Sequence, residues 1–350
     1  MNTKTTLKRA YSSDQDIQEP DSKRNYRFTI KDGDSTATVK FLIVSDTHDT
    51  ALRATPKCDV MLHCGDFTES GSSESIEEAM KALSNVEAEL KLVIAGNHEI
   101  SLDKAYYLSE GGSEAEHHKS CAIVRSNTSI HFLEEGTHHF TLKSGAKFAI
   151  YASSWTPKYG SSAFQYPTNE DRFNGHETTP EWGKNVGTEM SIIPDGVEIV
   201  MTHGPPQYIL DMTADGRSAG CEHLRRAIAR VRPRLHCFGH VHRGYGAQRV
   251  GYDDKAEKGK GEDCLVPLPQ EWVGKNQTKR KGYACLSPGT AETFRQNTKQ
   301  TLMVNAAIMD EENEPTNVPW LVELDLSLNN TKSKDEGGRY DQEMCLDLSL

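Results

Sequence analysis

At 350 residues the chain can bury a full core, as one large or two small domains. Its 40 basic and 51 acidic residues leave a formal charge of −11, which argues against wide phosphate-backbone or anionic-membrane binding but not against one small anionic substrate in a local pocket. No stretch is apolar for long enough to cross a bilayer, the opening MNTKTTLKRAYSS lacks the apolar run of a secretion signal, and eight scattered cysteines without a C-x-x-C pair read as reduced core residues. These features predict a cytoplasmic protein without membrane attachment.

Residues 1–37 are polar and charged and predict a flexible arm. Lys8-Arg9 and Lys23-Arg24 within it leave a split nuclear-import signal as an alternative address. A main domain over 38–328 follows. VKFLIVS (39–45), DVMLHC (59–64) and LKLVIA (90–95) predict buried strands, each a short run of mainly aliphatic side chains. Between the second and third, Ile76, Ala79, Met80 and Leu83 recur at helical spacing behind the GSSES turn. That βαβ rhythm predicts a largely parallel sheet. Residues 138–152 read as a hairpin turning at Lys143-Ser144-Gly145. VEIVMT (197–202) leads to His203, and a helix with Leu224, Ala227, Ile228 and Val231 on one face precedes LHCF (235–238). Residues 251–299 carry DDKAEKGKGED, PLPQEW and GKNQTKRKG, and predict a polar, solvated insertion. TLMVNAAIM (301–309) and VPWLVELDL (318–326) resume the strand pattern, and 329–350 predict a flexible tail.

Five of the strand-like runs end in the same kind of residue. The first runs into Asp46-Thr47-His48, the second into Gly65-Asp66 and the third into Gly96-Asn97-His98-Glu99. VEIVMT ends in His203-Gly204, and LHCF in Gly239-His240-Val241-His242. Ligands of open α/β sheets bind beyond the carboxyl ends of the strands, so these tips predict one rim carrying Asp46, His48, Asp66, Asn97, His203, His240 and His242. Carboxylate, amide and imidazole donors together suit manganese, iron or zinc better than calcium or magnesium. Seven donors exceed one ordinary site and suit two metals sharing a carboxylate. His63, His117, His118, His138 and His139 have no partners at such spacing and read as structural.

The succession D-x-H, G-D, G-N-H-E, H and G-H-x-H resembles the calcineurin-like metallophosphoesterases. GDFTESG, LVIAGNHEISLDK, SSWTPKYG, IVMTHGPPQYILD, GHVHRGYG and VNAA place it near the branch related to class III cyclic-nucleotide phosphodiesterases. The resemblance implies a four-layer α/β/β/α sandwich. It implies a first metal on Asp46, His48, Asp66 and His242, and a second on Asp66, Asn97, His203 and His240, both divalent or of mixed valence. It also implies that His98 faces the scissile phosphate, and that a hydroxide between the metals attacks phosphorus. The expected activity is hydrolysis of small phosphodiesters such as cyclic nucleotides.

GDFTESG lacks the arginine of the protein phosphatase pattern G-D-x-V-D-R-G, which favours a diester or small organic phosphate. A phosphomonoesterase or protein phosphatase is the alternative enzyme, and a metal-binding scaffold without catalysis the alternative class. A small phosphate ester is the expected partner. Nucleic acid is not, since no basic track with interleaved aromatics is present. Arg243 and Asp49, beside His242 and His48, are expected at the pocket mouth.

Overall fold

The computed structural model describes residues 36–52, 55–253, 264–274, 278 and 280–328. In chain order these form β1 (Thr36–Val44), β2 (Val60–His63), α1 (Ser73–Ser84), β3 (Leu90–Val93), α2 (Lys104–Ser109), α3 (Glu114–Ser126), β4 (His131–Phe132), β5 (Gly136–Thr141) and β6 (Lys147–Ser153). There follow β7 (Ile199–Thr202), α4 (Glu222–Val231), β8 (Leu235–Phe238), β9 (Gly246–Tyr252), β10 (Leu265–Gln270), α5 (Pro288–Gln296), β11 (Thr301–Asn305) and β12 (Trp320–Ser327), with two-residue strands and single-turn helices between them. The expected arm and tail lie outside the described residues, except that Thr36 and Ala37 open β1. They do so because β1 pairs along its length with β12, Thr36 facing Ser327 and Ala37 facing Leu326.

Two sheets are stacked. The first has five strands in the order β12-β1-β2-β3-β4, and the second has seven in the order β10-β9-β11-β8-β7-β6-β5. β1 through β4 are mutually parallel, as are β6, β7, β8 and β11, while the edges are antiparallel. The alternation of β1 shows why the strands read as unbroken apolar runs. Phe41 and Ile43 enter a core between the sheets with Leu62, Phe148, Ile150, Met201 and Val304. Leu42 and Val44 point the other way, under Ile76, Ala79, Met80 and Leu83 of α1. On the far side Tyr151, Val200 and Met303 pack beneath Leu224, Ala227 and Ile228 of α4. Helix, sheet, sheet and helix make the four-layer α/β/β/α sandwich, with strands covered on both faces. Each large side chain fully buried here is worth about 1.5–3 kcal/mol.

The helices begin where the sequence places their caps. The Ser72 hydroxyl accepts from the Ser75 N–H at the start of α1, and the Cys221 thiol sulfur accepts from the Leu224 N–H at the start of α4. The hairpin turns at 143–145, with the Leu142 N–H donating to the Ala146 carbonyl at 2.9 Å.

Within 251–299, several described residues depart from the expected solvated insertion. β10 adds an antiparallel edge strand to the second sheet, and Ala284, Leu286 and Phe294 are buried in the inter-sheet core. The Arg234 guanidinium donates to the Phe294 carbonyl at 2.7 Å and to the Asn297 carbonyl at 2.5 Å, tying α5 to the sheet. Three apolar residues dispersed among polar ones carry no periodicity, so composition alone read them as solvated.

Both sheets end at one edge. Ser45 bridges in parallel to Ala307 across the sheets, its N–H donating to the Ala306 carbonyl at 3.0 Å. This joins the carboxyl tips of β1, β2 and β3 to those of β7, β8 and β11. Among the described residues no helix is long and apolar enough to cross a membrane.

Candidate metal centre

The turns at that edge are strained. Asp46, His48, Asp49, Asp66 and His240 all have positive φ, between 43° and 66°. Left-handed backbone at a non-glycine residue costs on the order of 1–3 kcal/mol and persists where the surroundings fix it. Here it turns side chains inward immediately after a strand. Gly65, at φ 96°, could carry no side chain, since a Cβ would stand 2.7 Å from both the Ala95 carbonyl and His203 Nδ1. At Gly239 a Cβ would meet the Asp46 carboxylate at 2.0 Å.

The eight predicted site residues come together. Ligand atoms of Asp46, His48 and His242 lie within 4.8 Å of one another, as do those of Asp66, His203 and His240. A further set, His48, Asp66 and His98, links the two. Asn97 joins the second group, its Oδ1 2.9 Å from His203 Nε2. His98 flanks the first, its ring centroid 4.5 Å from that of His48.

Four of the imidazoles are held through Nδ1. His48 Nδ1 donates to Glu69 Oε2 at 2.6 Å, and His98 Nδ1 to the Glu69 carbonyl at 2.8 Å. His203 Nδ1 donates to the Cys64 carbonyl at 2.8 Å, and His242 Nδ1 reaches Asn313 Oδ1 at 3.1 Å and the Asp310 carbonyl at 3.2 Å. At His48, His203 and His242 such a bond keeps a proton on Nδ1, so that in the neutral ring the Nε2 lone pair is directed at the centre; at His98 it leaves Nε2 free to carry a second proton. His48 Nε2 is buried with no hydrogen-bond partner, and His242 Nε2 and His203 Nε2 approach Asp46 Oδ1 at 3.6 Å and Asp66 Oδ2 at 3.2 Å. Among the described residues the ion-pair partners of both aspartates are histidines, with no lysine or arginine. Buried carboxylates faced by imidazole lone pairs are a poor arrangement without a cation and a fitting one around divalent metals.

The electrostatics follow from this crowding. Burial works to raise the Asp46 carboxyl, but its bond to His242 and the neighbouring rings hold it below the usual range. Asp66 is likewise held well below that range, against burial, by His203, His98 and His48. Burial opposes protonation of His203, yet Asp66 raises its ring to about 9. His240, buried beside His203, is lowered to about 4. His98 is raised: burial opposes its charge, while Asp66 and its bond to the Glu69 carbonyl favour it.

Several residues that hold this arrangement were given no role by the motifs. Glu99, fully buried, accepts the N–H groups of Asp66, Thr68 and Gly96 and the Thr68 hydroxyl, so it fixes the turns after β2 and β3. Glu69 braces both His48 and His98. Asn305 holds the loop between His240 and His242, its amide donating to the Val241 carbonyl at 2.9 Å and the Leu210 carbonyl at 3.1 Å. Glu99 and Glu69 stood in the quoted GNHE and GDFTESG, but no spacing rule singles them out. Asn313 and Asp310 come from a loop some seventy residues beyond His242.

Asp49 is exposed beside the centre and turns its carboxylate toward the loop of Glu69. It accepts the Glu69 N–H at 3.0 Å and the Ser75 hydroxyl at 2.6 Å, bracing the loop that carries Glu69. Arg243 does line the adjoining cleft, donating to the Ala214 carbonyl at 2.9 Å and facing Glu311 at 3.7 Å. That cleft, of about 920 Å³, opens on His240 and His242. His63 and His236 are instead buried core residues, their Nε2 atoms 3.0 Å from the Thr47 hydroxyl and 2.9 Å from the Thr202 hydroxyl and their Nδ1 atoms without a hydrogen-bond partner. His117 and His138 contact the backbone carbonyls of Ser101 and Glu134.

Comparison with known proteins points the same way. Residues 39–244 match the profile of calcineurin-like phosphoesterases. Human metallophosphoesterase domain-containing protein 1 is 32% identical over 226 residues, which cover 61% of this chain and 63% of that protein. Probable rhamnogalacturonate lyase C of Emericella nidulans is 35% identical over 217 residues, 61% of this chain but only 18% of its own length. The chain thus spans less than two thirds of these relatives. Among solved structures TT1561 of Thermus thermophilus has 10% identity and a TM-score of 0.36 over 67% of this chain and 89% of its own, a likeness that carries no argument.

Proposed function

The chain belongs to the calcineurin-like phosphoesterase family, and from that premise we propose that it is a metal-dependent phosphoesterase acting on small phosphodiesters such as cyclic nucleotides. The observation that carries the reading is the pair of overlapping donor groups meeting at Asp66, with histidine Nε2 atoms turned inward. In this reading Asp46, His48, Asp66 and His242 hold one divalent ion, and Asp66, Asn97, His203 and His240 the other. Manganese, iron and zinc suit the donor set. Two such ions supply Lewis-acid polarisation of a phosphoryl oxygen and activation of water at neutral pH.

The chain's own residues do the rest. Asp66 ties the two groups together. Gly65 and Gly239 leave room for the carboxylates, and Glu69 fixes the tautomer of His48 and the orientation of the His98 ring. His98, one ring away from His48 and more exposed, keeps a proton on the side facing the cleft and gives it to the departing alkoxide. A small diester is favoured over a phosphoprotein because the GDFTESG loop offers Glu69 rather than a cation beside the centre. The full complement of seven donors counts against a scaffold without catalysis. We also place the protein in a reducing, cytoplasmic setting, for which its seven free cysteines among the described residues are the support.

Manganese-dependent hydrolysis of bis-p-nitrophenyl phosphate, measured beside p-nitrophenyl phosphate, tests this. The diester is expected to turn over faster. His98→Ala should lower kcat by about 10²–10⁴ with metal content unchanged. Two bound metals with neither ester cleaved would overturn the catalytic reading, and a faster monoester would transfer it to the phosphomonoesterase alternative.

A further inference from the structure

The cleft beside the metal centre has an aromatic wall that phosphate hydrolysis does not require. Trp182 lines it together with His240 and His242, yet is 53% exposed. Its ring is not loose. One face stacks on the imidazole of His223, with centroids 4.8 Å apart and planes inclined by 27°. His223 is fully buried, and its Nδ1 stands 3.4 Å from Asp171 Oδ2.

Asp171 anchors the loop that carries the tryptophan. Its carboxylate accepts the N–H groups of Phe173 and Asn174 and the hydroxyl of Thr179. The Thr179 hydroxyl in turn accepts the Asn185 amide at 2.8 Å, and Asp171 pairs with Asn185 in a short parallel bridge. Both flanks of Trp182, at 179 and 185, are therefore tied to the pedestal beneath its ring. A buried histidine could be covered by any apolar side chain. A flat indole held on a rigid base, lining the cleft and about half exposed, is preorganised to receive a second ring.

Resting on the phosphodiesterase reading of this site, we infer that Trp182 is the stacking platform for a planar heteroaromatic group of the substrate, so that the site selects nucleoside-like phosphate esters over aliphatic ones. Stacking on an aromatic side chain tolerates any base, since each has a π face, and its loss lowers affinity on the order of tenfold to a hundredfold.

The test compares adenosine 5′-monophosphate with ribose 5-phosphate, which keeps the phosphate and sugar and lacks the base. Calorimetry on manganese-loaded and chelator-treated wild type, Trp182→Leu and Trp182→Phe gives the affinity ratio. Wild type should prefer the nucleotide by roughly tenfold or more, Trp182→Leu should bring the ratio near one, and Trp182→Phe should restore most of it. Trp182→Phe keeps a ring on His223, so it also guards against misfolding. In that variant, nucleotide quenching of tryptophan fluorescence should fall relative to wild type. A ratio near one in wild type, or an unchanged ratio in Trp182→Leu, overturns the platform. Hydrolysis of bis-p-nitrophenyl phosphate without a base preference sinks the platform alone. A Trp182-dependent preference in a protein that cleaves no ester sinks the hydrolytic reading and leaves the platform standing.

Discussion

His203 and His48 occupy equivalent places in the two halves of the metal centre, but different parts of the molecule hold them. His203 has no exposed side-chain surface, and its Nδ1 bonds to the backbone of Cys64, where β2 ends, so sheet geometry aims the ring. His48 and His242 retain 8% and 17% side-chain exposure. Their Nδ1 atoms are braced by the loop residues Glu69, Asp310 and Asn313. Glu69 itself is 66% exposed and depends on Asp49 for its position. One half is thus built into the sheets, and the other hangs on surface loops. Such a difference leads us to expect a tight inner metal and a weaker, more adjustable outer one.

The largest effect should come from Asp66→Ala, which removes the group joining both halves. Activity on bis-p-nitrophenyl phosphate should drop to background, and metal analysis should show loss at both positions. Retention of two metals would deny Asp66 its linking role. Glu99→Ala should come next. It orphans three buried N–H groups in the turns after β2 and β3, for a loss of about 3 kcal/mol or more in urea unfolding. A change below about 1 kcal/mol would mean that water replaces the carboxylate.

Glu69→Ala sharpens the comparison most directly. Manganese titration into stripped protein should show the weaker step falling about 10- to 100-fold while the tighter step stays. Equal weakening of both steps would abolish the distinction between the halves. His236, on β8, reports on the sheet rather than the centre and leaves activity at neutral pH untouched. Burial lowers its ring from 6.5 to about 3, so below pH 6.5 the unfolded chain takes up a proton that the folded one refuses. Its contribution to stability is therefore complete above pH 6.5 and declines as the pH falls toward 3. His236→Gln should flatten the dependence of unfolding free energy on pH in that window by about 1.4 kcal/mol per unit. An unaltered slope would show that the ring is not buried neutral.

The strands and the rim residues were legible because each is a local signal. An apolar run such as VKFLIVS announces a strand covered on both faces, and a run that ends in Gly-Asp or Gly-His exposes polar side chains at its tip. Polar tips on five such runs pointed to the seven residues Asp46, His48, Asp66, Asn97, His203, His240 and His242, which the fold brings together at one edge. The burial of Ala284, Leu286 and Phe294 was not legible, because isolated apolar residues in a polar stretch have no period. Nor was the hold of Asp49 on the loop of Glu69, since a partner twenty residues away leaves no mark on its neighbours.

The sequence by itself determined the central strands, their polar tips and the kinds of side chain gathered there. Only the tertiary structure decided which loop braces which ring: Glu69 on His48, Asp310 and Asn313 on His242, Cys64 on His203, and Asp171 under His223 and Trp182. The reason is physical. A strand and its tip are fixed by the period and chemistry of adjacent residues, whereas a hydrogen bond between distant segments exists only after packing has set both in place.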